Sequence, residues 1–370
     1  MPDVPIVIPE ADLIAAATSA RPPRPNSPRP IVTIGAGGIV RNAHLPAYAK
    51  AGFPVIAVSD PAPNIAANLA GDFHISRFFT STAEAVAFAP PDTVFDIAVP
   101  ASQLLTILPL LPKKATVLFQ KPMGETLEEA RAIRDLCRAR QFTAAVNFFQ
   151  RYAPNNLGAV ALFNAGYLGK IHDLEIQTRT YTPWQLWTFL DHAPRLEILY
   201  HSIHYLDLVR SWLGNPHGIY AKTVRNPHCP NHAPTKTTMI LDYGSDMRVF
   251  IATNHFHDFG DRYQHSFAQW EGTAGAARIG MGLNLDYPRG RPDTLEYAQR
   301  GDPGRVWHSL PVNGEAFPDA FVGTMGALQA FAEGTAPTLP SSFEDAFQTM
   351  ALVEAAYRSS GRPAEPIPSE

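Results

Sequence analysis

The segment Ile31-Val32-Thr33-Ile34-Gly35-Ala36-Gly37-Gly38-Ile39-Val40 constrains this chain more than any other. Its first four residues read as a short strand buried on both faces, which loses the alternation of a half-exposed one. The glycines let the backbone turn tightly, and a helix is predicted from about Ile39. The first N–H groups of such a helix lack intrahelical acceptors and point where an anion can sit. A second apolar run, Val55-Ile56-Ala57-Val58, ends at Ser59-Asp60. Asp60 falls roughly twenty residues beyond the glycines, where a dinucleotide-binding unit places an acid on the adenosine ribose. A carboxylate there accepts from both ribose hydroxyls and repels a 2′-phosphate, so NAD is expected rather than NADP. The glycines alone also suit a strand–turn–helix with no ligand. The order strand, glycines, helix, strand, acid is what favours the nucleotide. Val40 departs from the pattern, which usually has glycine or alanine there.

From 31 to 150 short apolar strands alternate with helical segments, the pattern of a parallel, doubly wound α/β sheet. Val94-Phe95-Asp96-Ile97-Ala98-Val99 ends at Pro100, and Thr116-Val117-Leu118-Phe119 ends at Gln120-Lys121-Pro122. Thr143-Ala144-Ala145-Val146 closes the domain. Thr126, with Glu129 three residues on, predicts a capped helix whose apolar face holds Ala130, Ile133, Leu136 and Cys137. After Arg151 the texture changes. Helices are expected over 155–165 and 194–213, then turn-punctuated, alternating strands over 237–279. A loop-rich stretch over 281–311 and two helices over 321–357 follow. The expected organisation is a Pro-rich arm over 1–30, a Rossmann domain over 31–150, and an α+β domain over 151–370 with a mostly antiparallel sheet. Within the arm, 21–30 should be extended and semi-rigid, linking the apolar segment 13–17 to the first strand. It is either an arm packed on a neighbouring subunit or a disordered leader.

A chain of 370 residues, 45% of them hydrophobic, is long enough for two cores. A net charge of −4 offers no attraction to nucleic acid or an anionic membrane, so neither is an expected partner. Two cysteines, Cys137 and Cys229, imply no disulfide framework. No run approaches the ~20 apolar residues of a bilayer span, and no secretory pattern opens the chain. A cytoplasmic location is expected.

In a parallel sheet, ligands gather at the carboxyl ends of the strands. Three such ends carry Asp60, Val99-Pro100 and Gln120-Lys121-Pro122. Lys121, directly after a buried strand and held by proline, points into the cleft on a stiff backbone. A surface lysine snorkelling at a strand end is the alternative. Over 194–213, Leu196, Leu199, Ile203, Leu206 and Leu213 repeat at helical spacing. Tyr200, His204 and Asp207, at i, i+4 and i+7, share another strip. A tyrosine, an imidazole and a carboxylate in line make a proton-handling array, or a helix side that hydrogen-bonds across a domain interface. His201, His204, His255 and His257 offer four imidazoles, but no acidic or cysteine ligands accompany them at ligand spacing. No metal is expected. Trp184, Trp187 and Tyr181 offer flat faces for a sugar ring, or for interface packing.

In this order the pieces resemble the oxidoreductases grouped around glucose–fructose oxidoreductase and inositol dehydrogenase, the Gfo/Idh/MocA family. The resemblance runs over nearly everything from 31 to 357. It is carried by Ile34-Gly35-Ala36-Gly37-Gly38-Ile39 with His44-Leu45-Pro46-Ala47, Gln120-Lys121-Pro122 and Arg151-Tyr152-Ala153-Pro154. Gly166-Tyr167-Leu168-Gly169-Lys170-Ile171, His204-Tyr205-Leu206-Asp207-Leu208 and Trp270-Glu271-Gly272-Thr273-Ala274-Gly275 complete it. It implies a second domain with an open sheet face commonly used for oligomerisation, hence a homodimer or homotetramer. It implies that Lys121 holds the reacting hydroxyl near the nicotinamide, that His204 exchanges its proton, and that Pro100 flanks the nicotinamide. The cofactor-binding set is then Gly35, Gly37, Gly38, Ile39, Val40, Asp60, Val99, Pro100, Gln120 and Lys121. Arg151, Tyr152, Trp184, Tyr200 and Asp207 are expected at the substrate.

Three positions depart from the family pattern. Gln120 replaces a glutamate, Leu104 a histidine, and Tyr200 an aspartate. The implied activity is NAD-dependent hydride transfer to or from a secondary hydroxyl of a sugar, sugar acid or cyclitol. The departures leave room for a redox-neutral lyase, epimerase or glycosidase-type enzyme that uses retained NAD by transient oxidation. A non-catalytic NAD- or sugar-binding regulator is a further alternative.

Overall fold

The short apolar runs of the first half become β1 (Ile31–Ile34), β2 (Val55–Ser59), β4 (Val94–Ile97), β5 (Thr116–Phe119) and β6 (Thr143–Val146), with β3 (Arg77–Phe79) at the edge. The computed structural model describes residues 7–287 and 289–368. Among them the strands fall into two sheets, the first ordered β3-β2-β1-β4-β5-β6 and parallel at every pairing. This is the doubly wound order, with its reversal between β1 and β4. β1, β4 and β5 are buried along their whole length, which is why they read as unbroken apolar runs. β3 carries exposed Arg77 and Phe78 and has no apolar signature, so the sequence did not announce it. Thr126 caps the helix Leu127–Arg140 as expected, its hydroxyl accepting the Glu129 N–H at 3.1 Å. Cys137 is buried on that helix, and burial pushes its thiol up to about 12, so it stays protonated and inert.

Residues 15–161 and 312–350 form one compact unit; 7–14, 162–311 and 351–368 form the other. This division differs from the linear boundaries at 30 and 150. The helix Ala316–Glu333 packs on β5, β6, the Phe149–Tyr152 turn and the helix Leu45–Ala51. Phe321 stacks on Phe149 with centroids 4.6 Å apart, so the core of the nucleotide-type unit is closed by the far end of the chain.

The arm also belongs to its own chain. A helix, Glu10–Ser19, precedes an extended strap that runs along Ala316–Glu333. The Asn26 and Ser27 N–H groups donate to the Glu333 carboxylate at 2.8 Å, and the Arg29 N–H donates to Gln329 Oε1 at 2.7 Å. A disordered leader does not describe this strap, because these N–H groups are bonded within the described residues. Gly326 makes the approach possible: a Cβ there would lie 2.1 Å from the Pro23 carbonyl oxygen. Gly326→Ala is therefore expected to push the strap off and cost about 1–3 kcal/mol, read as a lower melting temperature.

In the second unit β7 (Ile171–Arg179), β8 (Gly218–Val224), β9 (Lys236–Asp242), β10 (Arg248–Asn254), β11 (His265–Gly272), β12 (Gly275–Gly280), β13 (Thr294–Gln299) and β14 (His308–Leu310) form the second sheet. Its order is β14-β13-β12-β11-β7-β10-β9-β8, parallel between β7 and β10 and antiparallel at the other described pairings. The sheet begins before 237 and extends past 279. β13 and β14 occupy the stretch expected to be loops, where Gly, Pro and Asp around short strands hid them.

The two tail helices are Ala316–Glu333 and Phe343–Ser360. The helix expected over 194–213 starts later and in two parts. Glu197–Ser202 is a π-turn, and the α-helix proper is Ile203–Leu213. No helix among the described residues is long and apolar enough to cross a membrane.

Candidate nucleotide and catalytic site

The turn after β1 is shaped by its first glycine. Gly35 has φ +100°, and a Cβ there would stand 2.3 Å from the Ala98 carbonyl oxygen. Only glycine fits both conditions. Gly35→Ala is expected to force β1 and β4 apart at this edge, with at least a tenfold loss of NADH affinity in a fluorescence titration. Gly37 and Gly38 are exposed, with nothing within 4 Å of where a Cβ would lie, so bare backbone faces open space. The Gly37 carbonyl accepts from Val40 and Arg41 at 3.1 and 3.2 Å, starting a π-turn, Val40–His44, that runs into the helix Leu45–Ala51. Ile39 is half-buried, but Val40 is fully buried. That corrects the expectation that Val40 lines the cofactor: its side chain belongs to the core.

Asp60 stands at the end of β2 as expected and also braces the loop. Its Oδ2 accepts the Ala36 N–H at 3.0 Å and its Oδ1 the Ala62 N–H at 2.9 Å. Each oxygen keeps a further lone pair for a ribose hydroxyl. The ends of β4 and β5 lie at the same edge, since Ala98 N–H bonds the Ile34 carbonyl at 2.7 Å and Gln120 N–H the Ile97 carbonyl at 3.0 Å. Val99 is half-buried, Pro100 exposed, and Lys121 half-buried before a cis Lys121–Pro122 bond. Burial lowers the Lys121 amine from 10.5 to about 8. The first sheet thus brings Gly35, Gly37, Gly38, Asp60, Val99, Pro100, Gln120 and Lys121 to one edge. This is the constellation a dinucleotide needs: bare loop backbone for pyrophosphate and an acid for ribose.

Beneath that edge lies a polar network not anticipated as part of the site. Asp96, in the middle of β4, is paired with His44, Oδ2 to Nδ1 at 2.7 Å, with both side chains at most 1% exposed. Tyr48 donates to the same oxygen at 3.0 Å. The signal was present: an aspartate inside a buried strand must find a partner. The partner is not legible because it comes from another element.

Arg151 and Tyr152 depart from expectation. Arg151 donates to the Pro340 carbonyl at 2.6 Å and pairs with Asp345 at 2.5 Å. Tyr152 is buried in the Phe149–Tyr152 turn, against which the helix Ala316–Glu333 packs. Both serve the packing of their own unit.

In the second unit His204, Tyr200 and Asp207 are all buried. Tyr200 lies in the π-turn and His204 and Asp207 in the α-helix, so one 3.6-residue register does not run through the three. Next to His204, Tyr205 receives hydrogen bonds from Thr178 at 2.9 Å and Asn284 at 3.1 Å, which pins this helix to the sheet.

Trp184 is only 3% exposed and packs edge-on against His201, centroids 4.9 Å apart, with His232 and His255 beyond. It offers no open face to a sugar, which corrects that expectation; its nearest partners are imidazoles of its own unit. Burial lowers His255 to about 3 and raises Glu197, whose Oε1 lies 3.5 Å from His255 Nε2. Burial therefore drives both toward their uncharged forms. Among the described residues no three His, Cys, Asp or Glu side chains gather as a metal-binding set.

A parallel sheet in this strand order, a glycine turn and a strand-end acid define a dinucleotide-binding Rossmann unit, here followed by a mostly antiparallel sheet unit. Residues 30–148 match the model of the Gfo/Idh/MocA oxidoreductase family, NAD-binding Rossmann fold. No curated protein sequence matches the chain.

Solved structures share the fold over 90% of the chain. One is an oxidoreductase from Agrobacterium radiobacter in complex with NAD+, L-tartaric acid and magnesium, at 20% identity, TM-score 0.74 and 96% of its own length. A second is a putative myo-inositol dehydrogenase from Sinorhizobium meliloti, at 20% identity, TM-score 0.71 and 97% of its length. A third, levoglucosan dehydrogenase with NADH and levoglucosan, matches at 18% identity, TM-score 0.73 and 97% of its length. At such identities the likeness speaks for the fold.

Proposed function

We propose that this protein is an NAD-dependent dehydrogenase acting on a secondary hydroxyl of a sugar, sugar acid or cyclitol. The observation that carries it is Lys121, a desolvated amine lowered to about 8 at the edge that also holds the glycine turn and Asp60. Such a lysine is unusual for a merely solvated one and matches a group that hydrogen-bonds a reacting oxygen. The ligands named for the similar structures, levoglucosan and L-tartaric acid, support a polyhydroxylated substrate.

In this reading Gly37 and Gly38 hold the pyrophosphate, Asp60 the ribose, and Val99 and Pro100 flank the nicotinamide. NAD, when bound, supplies the hydride acceptor. Lys121 donates to the carbinol oxygen and stabilises the negative charge that develops there, and His204 takes the hydroxyl proton. Tyr200 and Asp207, buried on the same segment, are assigned to orienting substrate or imidazole. A cytoplasmic homo-oligomer completes the proposal. Exposed Tyr220 and Ile240, paired across β8 and β9, support association.

The test is a fluorescence titration with NADH followed by a panel of sugars, sugar acids and cyclitols with NAD+. Steady NADH formation from one of them supports the proposal. Tight NADH binding without turnover overturns it in favour of a regulator. Product formed without net NADH, by protein purified with nucleotide, overturns it in favour of redox-neutral chemistry.

A further inference from the structure

We propose that Asp96, His44 and Gln120 form a buried positioning relay that holds the Gln120-Lys121-Pro122 turn in place from inside the sheet. Its bearing on catalysis rests on the role proposed for Lys121; the relay itself stands on contacts within one unit.

Asp96 accepts at Oδ2 from both His44 and Tyr48. An acceptor facing Nδ1 puts the imidazole proton on Nδ1 and leaves Nε2 as an acceptor. Two amides meet that nitrogen, Gln120 Nε2 at 2.6 Å and Asn147 Nδ2 at 3.3 Å. The Thr324 hydroxyl donates to Asn147 Oδ1 at 2.9 Å, which turns the Asn147 NH2 toward the imidazole. The donor direction is therefore consistent throughout, from Gln120 to His44 to Asp96. Burial, and then the Asp96 charge, push Tyr48 well up, so its hydroxyl remains a donor.

Residue 120 is thus held twice. Its backbone N–H bonds the Ile97 carbonyl at 3.0 Å and its side chain bonds the relay. Lys121 has its Cα one peptide, about 3.8 Å, further on, so little freedom is left between the relay and the lysine backbone. A glutamate at 120 would present only acceptors to Nε2 and require a second imidazole proton. Glutamine lets the relay run with one. Asp96 Oδ1 is buried without a hydrogen-bond partner among the described residues, so the aspartate is held through Oδ2.

The test breaks the relay at either end. Asp96→Leu removes the acceptor that faces Nδ1, and Gln120→Met removes the donor that faces Nε2. Because both residues act through the one imidazole, the double change should cost no more than the worse single one. Gln120→Met, on a half-buried residue, removes the contact at similar volume and guards against a variant that fails to fold. The readouts are deuterium exchange of the peptide spanning 119–125 without ligand, NADH affinity, and kcat and KM on the substrate found by the panel above.

Each single variant should speed exchange by about tenfold and lower kcat with KM little changed. The double variant should show no larger change than the worse single one. Wild-type exchange in the single variants overturns the relay, as does a double variant in which the two effects add in full. Exchange that follows the relay while Lys121→Met keeps its turnover upholds the relay and overturns only the role of Lys121.

Discussion

Lys121→Met is expected to lower turnover by about 100-fold or more and, in the same protein, to raise the melting temperature at neutral pH. The first effect follows from removing the donor proposed to face developing negative charge, which is typically worth ~10²–10³ in rate. The second follows from linkage. The amine is lowered from 10.5 to about 8 by burial, so between those values the unfolded chain binds more protons than the folded one. Stability then rises with pH across that window, and below about 8 the cost of a buried ammonium is carried in full. Methionine has a similar length and no charge. Its variant should be more stable below about 8 and should lose the rise between about 8 and 10.5. Thermal melts over that range, run beside NADH titration and turnover, measure both effects. A variant that melts lower at neutral pH, or that keeps turnover, contradicts the desolvated-lysine account.

His204→Ala should lower turnover by ~10²–10⁴-fold, about 3–5 kcal/mol of barrier, while leaving NADH affinity intact. The residues proposed to hold the nucleotide belong to 15–161 of one compact unit, whereas His204 belongs to the other. At 8% exposure its removal also leaves a cavity, so His204→Gln, which fills more of the space without a titratable nitrogen, belongs beside it. Loss of turnover in both variants, with NADH binding retained, assigns the effect to the imidazole. Turnover within about threefold of wild type removes His204 from the mechanism.

What could be read in advance followed from burial on two faces. β1, β2, β4, β5 and β6 announce themselves because parallel strands between helices need unbroken apolar runs, and Thr126 announces its helix because a cap is local chemistry. β3, β13 and β14 were missed because short strands, whether at a sheet edge or set among Gly, Pro and Asp, carry no such pattern. The glycine turn, Asp60 and Lys121 were legible because their positions are set by strand ends. Val40, Arg151, Tyr152 and Trp184 were misjudged because a residue's neighbours across the fold, not its place in a motif, decide whether it meets a ligand. The pairing of Asp96 with His44 was hidden for the same reason, although the aspartate signalled that some pairing existed. The π-turn Glu197–Ser202 interrupted a strip that sequence spacing had treated as one helix face.

The stacking of Phe321 on Phe149 gives vectorial synthesis a particular order. Residues 15–161 of the nucleotide-type unit are made well before residues 312–350, which complete it. Until then, the aromatic surface around Phe149 and the His44 helix waits uncovered, a natural client for a chaperone. Fragments ending near residue 150 should therefore aggregate rather than yield a free-standing nucleotide domain.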